Sequence, residues 1–270
     1  MESTLFGVSS GTGGRREDTL PPYCVRSALL NDSDCVMKLF YFGHSCFSVT
    51  LPSLCGGTRL LFDPFLTSNP KAQEAGLDQS APEADYLLIS HGHFDHVEDA
   101  VPILRRTKAV AIAAYEVCEW LHRHGVPETQ LHRMNIGGTA RFAFGSVQMV
   151  QAVHSSSMPD GAPGGNPAGF VVRTQGGSFY YSGDTALTLD MQLIPKRGPL
   201  DFAVLSLGDT FTMDPEDALE AARFIGCDEV VGVHFNTWPP IAIDQEAAWT
   251  LFSNAGKRLH LPAPGAELSF

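Results

Sequence analysis

The run His91-Gly92-His93-Phe94-Asp95-His96 packs three imidazoles and a carboxylate into six residues. Neutral imidazole and carboxylate are the N and O donors that Zn²⁺ and related divalent ions accept. The run follows Asp85-Tyr86-Leu87-Leu88-Ile89-Ser90, an apolar stretch of β character. A strand that ends in so many ligand-type side chains is hard to explain as packing, and a chance cluster of surface histidines is the weaker reading. Four donors in one turn point in diverging directions, which a single tetrahedral ion can hardly use. Two ions side by side fit better, with His91 and His93 serving one and Asp95 and His96 the other.

Further ligand-type residues stand where apolar runs stop. His154 follows residues 147–153, Asp184 follows Tyr180-Tyr181-Ser182-Gly183, and His234 follows residues 230–233. His44, within Gly43-His44-Ser45, ends the first strand in the same way, and Asp63-Pro64 ends the third. Strand ends along one rim of a sandwich can converge on one pocket. Taken singly, His154 or His234 would read as a satisfied core or surface histidine, and Asp184 as a turn residue after Gly183. Asp209 reads as a loop brace, and His122, His124, His132 and His260 as solvated.

The elements that must position these groups follow from pattern. Strands are expected over 37–42, 46–51 and 59–63 as a β-meander, then a long loop over 64–84. A helix over 97–106, a strand over 109–113 and a helix over 115–124 closed by Gly125 come next. Gly137-Gly138 turns between short strands that run on to 153, and a Gly/Pro-rich loop covers 158–168. Strands at 170–173, 179–182, 202–207 and 229–233 follow, with helices at 215–224, capped by Asp214, and at 245–255. Strand-rich and βα-rich stretches thus occur in both halves. That pattern suits two sheets packed face to face with helices outside. Residues 1–36 are rich in Ser, Gly, Asp and Thr, and read as a flexible N-terminal extension without the apolar core of a secretory signal. Residues 37–270 read as the single folded domain, with Met37 an alternative start. Gly11-Thr12-Gly13-Gly14 lacks the strand and helix context of a phosphate loop.

Composition narrows the partners. A formal charge of -12 disfavours nucleic acid, whose phosphates are held by Lys and Arg clusters. No apolar stretch approaches the roughly 20 residues needed to span a bilayer. The six cysteines form no C-x-x-C pair, which suits a reduced, cytoplasmic setting and assigns none of them to a metal. Gly43-His44-Ser45-Cys46-Phe47 is no nucleophile elbow, because its fifth residue is Phe and a strand continues where a helix is needed.

The ordered set His91-x-His93-x-Asp95-His96, His154, Asp184 and His234 resembles the metallo-β-lactamase-fold hydrolases. Within them it is similar to a branch of small metal-dependent hydrolases related to the ascorbate-phosphate lactonases. Gly43-His44-Ser45-Cys46-Phe47, Asp63-Pro64-Phe65, Met134-Asn135-Ile136-Gly137-Gly138, Gly165-Asn166-Pro167-Ala168-Gly169, Gly183-Asp184-Thr185 and His234-Phe235-Asn236-Thr237 extend the likeness over 37–244. The resemblance implies an α+β fold, a four-layer αββα sandwich with a dinuclear site at one edge. It implies that His91, His93 and His154 hold one metal, that Asp95, His96 and His234 hold the other, and that Asp184 bridges them. No Cys lies near Asp184, so a pure N/O site is expected. Zn²⁺ is the first expectation, with Mn²⁺ or Fe²⁺ as alternatives. The likeness is compatible with a homo-oligomer.

Two ions ~3.5–4 Å apart can share a water and bring its pKa towards neutrality, giving a hydroxide that attacks a carbonyl carbon or a phosphorus. A small ester, lactone or amide is the expected substrate, with a phosphodiester as the alternative and a non-catalytic metal sensor as the rival class. Asp95 is expected to orient the attacking oxygen. His44 is expected to stabilise charge, sit behind a ligand or donate a proton. Asp63 is expected to hold a ligand imidazole in its working tautomer. Loops 64–84 and 158–168, with Phe65, Leu66, Trp238, Pro239 and Ile241, are expected to wall the pocket, which suits an acyl or aromatic group.

Overall fold

The computed structural model describes residues 36–270. The extension expected over 1–36 lies outside the described residues, Val36 apart. In the first half, β1 (Lys38–Gly43), β2 (Cys46–Thr50) and β3 (Arg59–Phe62) form the expected antiparallel meander. Then come α1 (Pro70–Glu74), β4 (Tyr86–Leu88), α2 (Phe94–Val97), α3 (Ala100–Thr107), β5 (Val110–Ala114), α4 (Tyr115–Arg123) and β6 (Leu131–Met134). The second half holds β7 (Thr139–Phe142), β8 (Gly145–Gln151), β9 (Ala168–Thr174), β10 (Gly177–Tyr181), β11 (Phe202–Ser206), α5 (Pro215–Phe224), β12 (Glu229–Val233), α6 (Gln245–Asn254), β13 (Arg258–His260) and β14 (Glu267–Ser269).

Two seven-stranded sheets result, ordered β14-β1-β2-β3-β4-β5-β6 and β13-β12-β11-β10-β9-β8-β7. Alternation along each strand splits its side chains between two cores. From β1, Leu39 and Tyr41 face the inter-sheet core, while Phe42 joins the layer that α3 and α4 cover. From β11, Phe202 and Val204 face inwards, and Ala203 and Leu205 face α5 and α6. The fold is therefore an αββα sandwich of the metallo-β-lactamase type.

Aromatic rings fill the space between the sheets. Phe47 stacks on Phe62 at 4.5 Å and Phe179 on Phe202 at 4.9 Å, while Tyr181 meets Phe47 and Phe62 edge-on at 5.0 and 5.5 Å. Offset and edge-on arrangements are the ones the ring quadrupoles favour.

Strand direction decides where the chemistry gathers. β1 is antiparallel to β2, and β2 to β3, so β1 runs with β3, and β3 is parallel to β4. In the second sheet β8 likewise runs with β10, and β10, β11 and β12 are parallel. The C-terminal ends of these strands share one rim. Two backbone hydrogen bonds stitch the sheets together there, from His234 N–H to the His44 carbonyl at 2.9 Å and from Ala168 N–H to the Ser90 carbonyl at 3.0 Å.

Several expectations need correction. The loop 64–84 contains α1, whose start is capped by Asn69 accepting from the backbone N–H groups of Lys71 and Ala72. The helix expected over 97–106 starts only at Ala100, after the separate α2 ends at Val97: the Asp99 N–H bonds the Pro64 carbonyl at 3.2 Å instead of continuing α2, and the Asp99 carboxylate accepts from the backbone of Leu66 and Thr67. The 3₁₀ run Leu189–Arg197 and the short edge strands β13 and β14 were not anticipated. No helix among the described residues is long and apolar enough to cross a membrane.

Phe62 is fully buried at the centre of the aromatic plug. Phe62→Ala should destabilise the protein by about 3–5 kcal/mol, read as a lower urea midpoint with an unchanged m value.

Candidate metal centre

The donor run begins three residues beyond the end of β4, after Ile89 and Ser90. His91 and His93 precede α2, and His93 is still extended (φ -64°, ψ 151°), whereas Asp95 and His96 lie inside the helix. The change from extended chain to helix is what sends the two pairs in different directions. His44, Asp63 and His234 follow β1, β3 and β12 with φ of 57°, 39° and 57°. That left-handed region costs an L-residue roughly 1–2 kcal/mol, and here it turns each chain sharply at the rim.

All seven candidate ligands meet in one place. His91, His93 and His154 form one donor group; Asp95, His96 and His234, joined by His44, form a second; His91, His96 and Asp184 form a third that straddles the first two. His91 Nε2 lies 2.9 Å from His93 Nδ1. Asp184 Oδ2 lies 2.9 Å from His234 Nε2, 3.3 Å from His96 Nε2 and 3.8 Å from His154 Nε2. Two atoms bound tetrahedrally to one Zn²⁺ stand about 3.4 Å apart, so these spacings suit shared ions. His96 Nε2 and Asp184 Oδ1 are buried without a hydrogen-bond partner, as lone pairs awaiting a cation would be. The residues therefore fit the metal that the donor chemistry calls for.

Around the donors lies a hydrogen-bonded shell. Asp63 is fully buried; its Oδ2 is 2.8 Å from His96 Nδ1 and accepts from the Tyr181 hydroxyl and the Ser90 hydroxyl, both at 2.5 Å. Its Oδ1 accepts from the Ser90 N–H at 2.7 Å. His44 is 1% exposed, with Nε2 3.0 Å from Asp95 Oδ2 and Nδ1 2.9 Å from the Thr237 hydroxyl. The Ser155 hydroxyl lies 3.3 Å from His93 Nε2.

Electrostatics differ sharply across the cluster. Burial, then the nearby His96, pushes the His91 pKa well below the usual histidine value. Burial would also lower His96, but Asp184, Asp63 and Asp95 hold it well above. Burial would raise both carboxylates. His96 and His44 nonetheless hold Asp95 below the usual range, and His234 and His96 do the same for Asp184. Burial and His234 lower His44 to about 4, so its ring is neutral near pH 7.

The cleft over these donors has a volume of about 810 Å³, and Phe94, Met158, Pro159, Phe211 and Trp238 supply its apolar lining. Phe65, Leu66 and Ile241 were expected in that wall, but all three are fully buried in the core. Asp209 is exposed and braces its own loop, accepting from the Thr210 N–H at 2.6 Å. Sequence reasoning missed Ser90, Tyr181 and Thr237, although each lies within three residues of a candidate ligand. It also missed Phe94, whose place inside the donor run was a signal left unused.

The fold and donor set define a class, and the chain belongs to it: the beta-lactamase superfamily domain matches residues 58–235. More narrowly, the chain is similar to the UPF0173 metal-dependent hydrolases. It is 45% identical over 218 residues to one from Methylacidiphilum infernorum, covering 81% of this chain and 93% of that one. It is 41% identical over 233 residues to another from Thermus thermophilus, covering 86% and 99%. Among solved structures, a metallo hydrolase from the archaeon Ignicoccus hospitalis matches with a TM-score of 0.76 at 32% identity, over 87% of this chain and 98% of that one. The protein is a metal-dependent hydrolase.

Asp63 touches His96 but does not face the cleft. Asp63→Asn should weaken metal binding by roughly 10–100-fold without unfolding the protein. Competition with a chromophoric chelator measures the first effect and circular dichroism the second.

Proposed function

We propose that the protein hydrolyses a small carboxylic ester, lactone or amide at a dinuclear N/O metal site, with Zn²⁺ the ion that the donors suit best. One observation carries the reading: a single oxygen, Asp184 Oδ2, stands within 4 Å of imidazoles from both donor groups. His91, His93 and His154 would hold one ion, Asp95, His96 and His234 the other, with Asp184 between them. Bound divalent ions would bring the pKa of a shared water near neutrality and polarise the substrate carbonyl.

The chain's own residues do the rest. Asp95 stays anionic and lines the cleft, so its carboxylate accepts a hydrogen bond from the attacking water and aims the oxygen at the carbonyl carbon. The water oxygen bonds to that carbon, the acyl–heteroatom bond breaks, and the released proton ends on the leaving group. His44 has both ring nitrogens engaged and does not line the cleft, so it is a positioning residue. It locks the Asp95 carboxylate rather than donating a proton to the leaving group. Asp63 does the same for the His96 ring through Nδ1, leaving Nε2 free as the donor.

A phosphodiester is less well served, because no Lys or Arg is among the residues lining the cleft. A mere metal sensor has no use for an apolar cleft over its donors. The free thiols of Cys46, Cys55, Cys118 and Cys227 suit a reducing, cytoplasmic setting.

Elemental analysis of the purified protein should find two metal ions per chain, and a panel of esters, lactones, amides and phosphodiesters should show carbonyl hydrolysis. Asp184→Asn should lower kcat/KM on the order of a thousandfold, about 4 kcal/mol of barrier. One ion per chain with full activity would sink the dinuclear reading. Stripping the ions with a chelator should lower Tm by roughly 10 °C, because tight binding to the native state alone contributes about 4 kcal/mol. Differential scanning calorimetry before and after metal is restored reads that shift.

A further inference from the structure

From the rings around the donor cluster, we infer that the cleft is a slot for an aryl or extended alkyl acyl group, and that it selects uncharged substrates over anionic ones. The inference rests on the hydrolase reading above and names the substrate class of that site.

Large apolar side chains normally leave water, yet Phe94 is 50% exposed and Phe211 56% exposed at the mouth of the cleft. Leaving them so costs stability, at about 25 cal/mol for each Å² that burial would have covered. Phe65 anchors the wall from beneath. Its fully buried ring meets Phe94 edge-on at 5.6 Å and lies 5.8 Å from Trp238. Phe94 and Trp238 stand 6.1 Å apart, too close to admit a ring between them, so they make one continuous aromatic face. Trp238 also packs edge-on against the His44 ring at 4.9 Å. The face is thus braced on the imidazole that holds Asp95, and Phe94 sits in sequence between His93 and Asp95. Phe211 is carried by two consecutive left-handed residues, Asp209 (φ 59°) and Thr210 (φ 52°), and the Thr210 hydroxyl ties that turn to the Pro240 carbonyl at 2.8 Å. The backbone is strained to present this ring outwards.

Charge points the same way. The ionisable residues lining the cleft are imidazoles and the carboxylates Asp95 and Asp184, with no Lys or Arg. An anionic group on the acyl chain, away from the donors, would have no countercharge and would meet a protein of net charge -12.

The test uses p-nitrophenyl esters with a common leaving group: acetate, phenylacetate and hemisuccinate. Wild type should favour phenylacetyl over acetyl in kcat/KM by about tenfold or more, and should disfavour the succinyl ester. Trp238→Ala should cut the phenylacetyl-to-acetyl ratio by about tenfold, chiefly through KM. Phe211→Ala, on an exposed loop where folding is not at stake, should cut it in the same direction. An equal ratio in wild type and both variants, or a preference for the succinyl ester, overturns the inference. Binding gives a separate reading: phenylacetamide should quench Trp238 fluorescence saturably, acetamide should not, and Trp238→Phe should lose the response. Saturable quenching without turnover of any ester, lactone or amide would refute the proposed carbonyl hydrolysis and leave the slot standing. Turnover without acyl preference or quenching would refute the slot alone.

Discussion

Imidazole nitrogens and carboxylate oxygens face one another at 2.9–3.9 Å, largely out of water, where each lone pair must be matched by a proton or a cation. That crowding is the constraint from which the rest of the rim follows. A carboxylate buried like Asp184 would ordinarily take up a proton, yet the surrounding imidazoles hold it ionised. Without metal, His96 takes the positive charge, pressed upwards by three carboxylates, while its neighbour His91 is pressed neutral. The carboxylates that favour a proton on His96 would equally favour a cation in its place.

Holding such a cluster needs a stiff frame, and the sandwich supplies it. Parallel strand ends bring the donors to one rim. Left-handed turns at His44, Asp63 and His234 redirect the chain, and cross-sheet hydrogen bonds hold the two halves in register. Fold alone does not decide what is cleaved. That choice lies in what overhangs the donors, and here the overhang is aromatic and fused to the frame through Phe65 and His44.

The donor run was legible because its information is local: four ligand types within six residues need no tertiary knowledge. His154, Asp184 and His234 stand where apolar runs stop, but only their ordered spacing and the family resemblance made them ligand candidates. The layered architecture followed from alternation and from the βα pattern in both halves. What stayed hidden depends on contacts between distant residues. Nothing in the sequence couples Thr237 to His44 across 193 positions, or Tyr181 to Asp63 across 118. Apolar loop residues could not be sorted either, since Phe65 and Phe94 are the same residue type, yet one is buried as a base and the other exposed as a wall. The break between α2 and α3 lies where Asp99 is tied by its backbone and carboxylate to the remote loop at 64–67, which helix propensity does not register. β13 and β14 are three-residue edge strands with too few positions to show alternation.

The way the donors divide along the chain has a consequence for biogenesis. His91, His93, Asp95 and His96 follow β4 of one sheet, early in the chain, and His154, Asp184 and His234 follow β8, β10 and β12 of the other. Each donor group draws from both sheets. A nascent chain that has made only β1 to β6 therefore offers no complete coordination sphere, and an ion captured early would be held by a fragment of its eventual ligands. A metal held by donors from both sheets would act as a clasp across the sandwich, one that closes only once the second set of strands has docked.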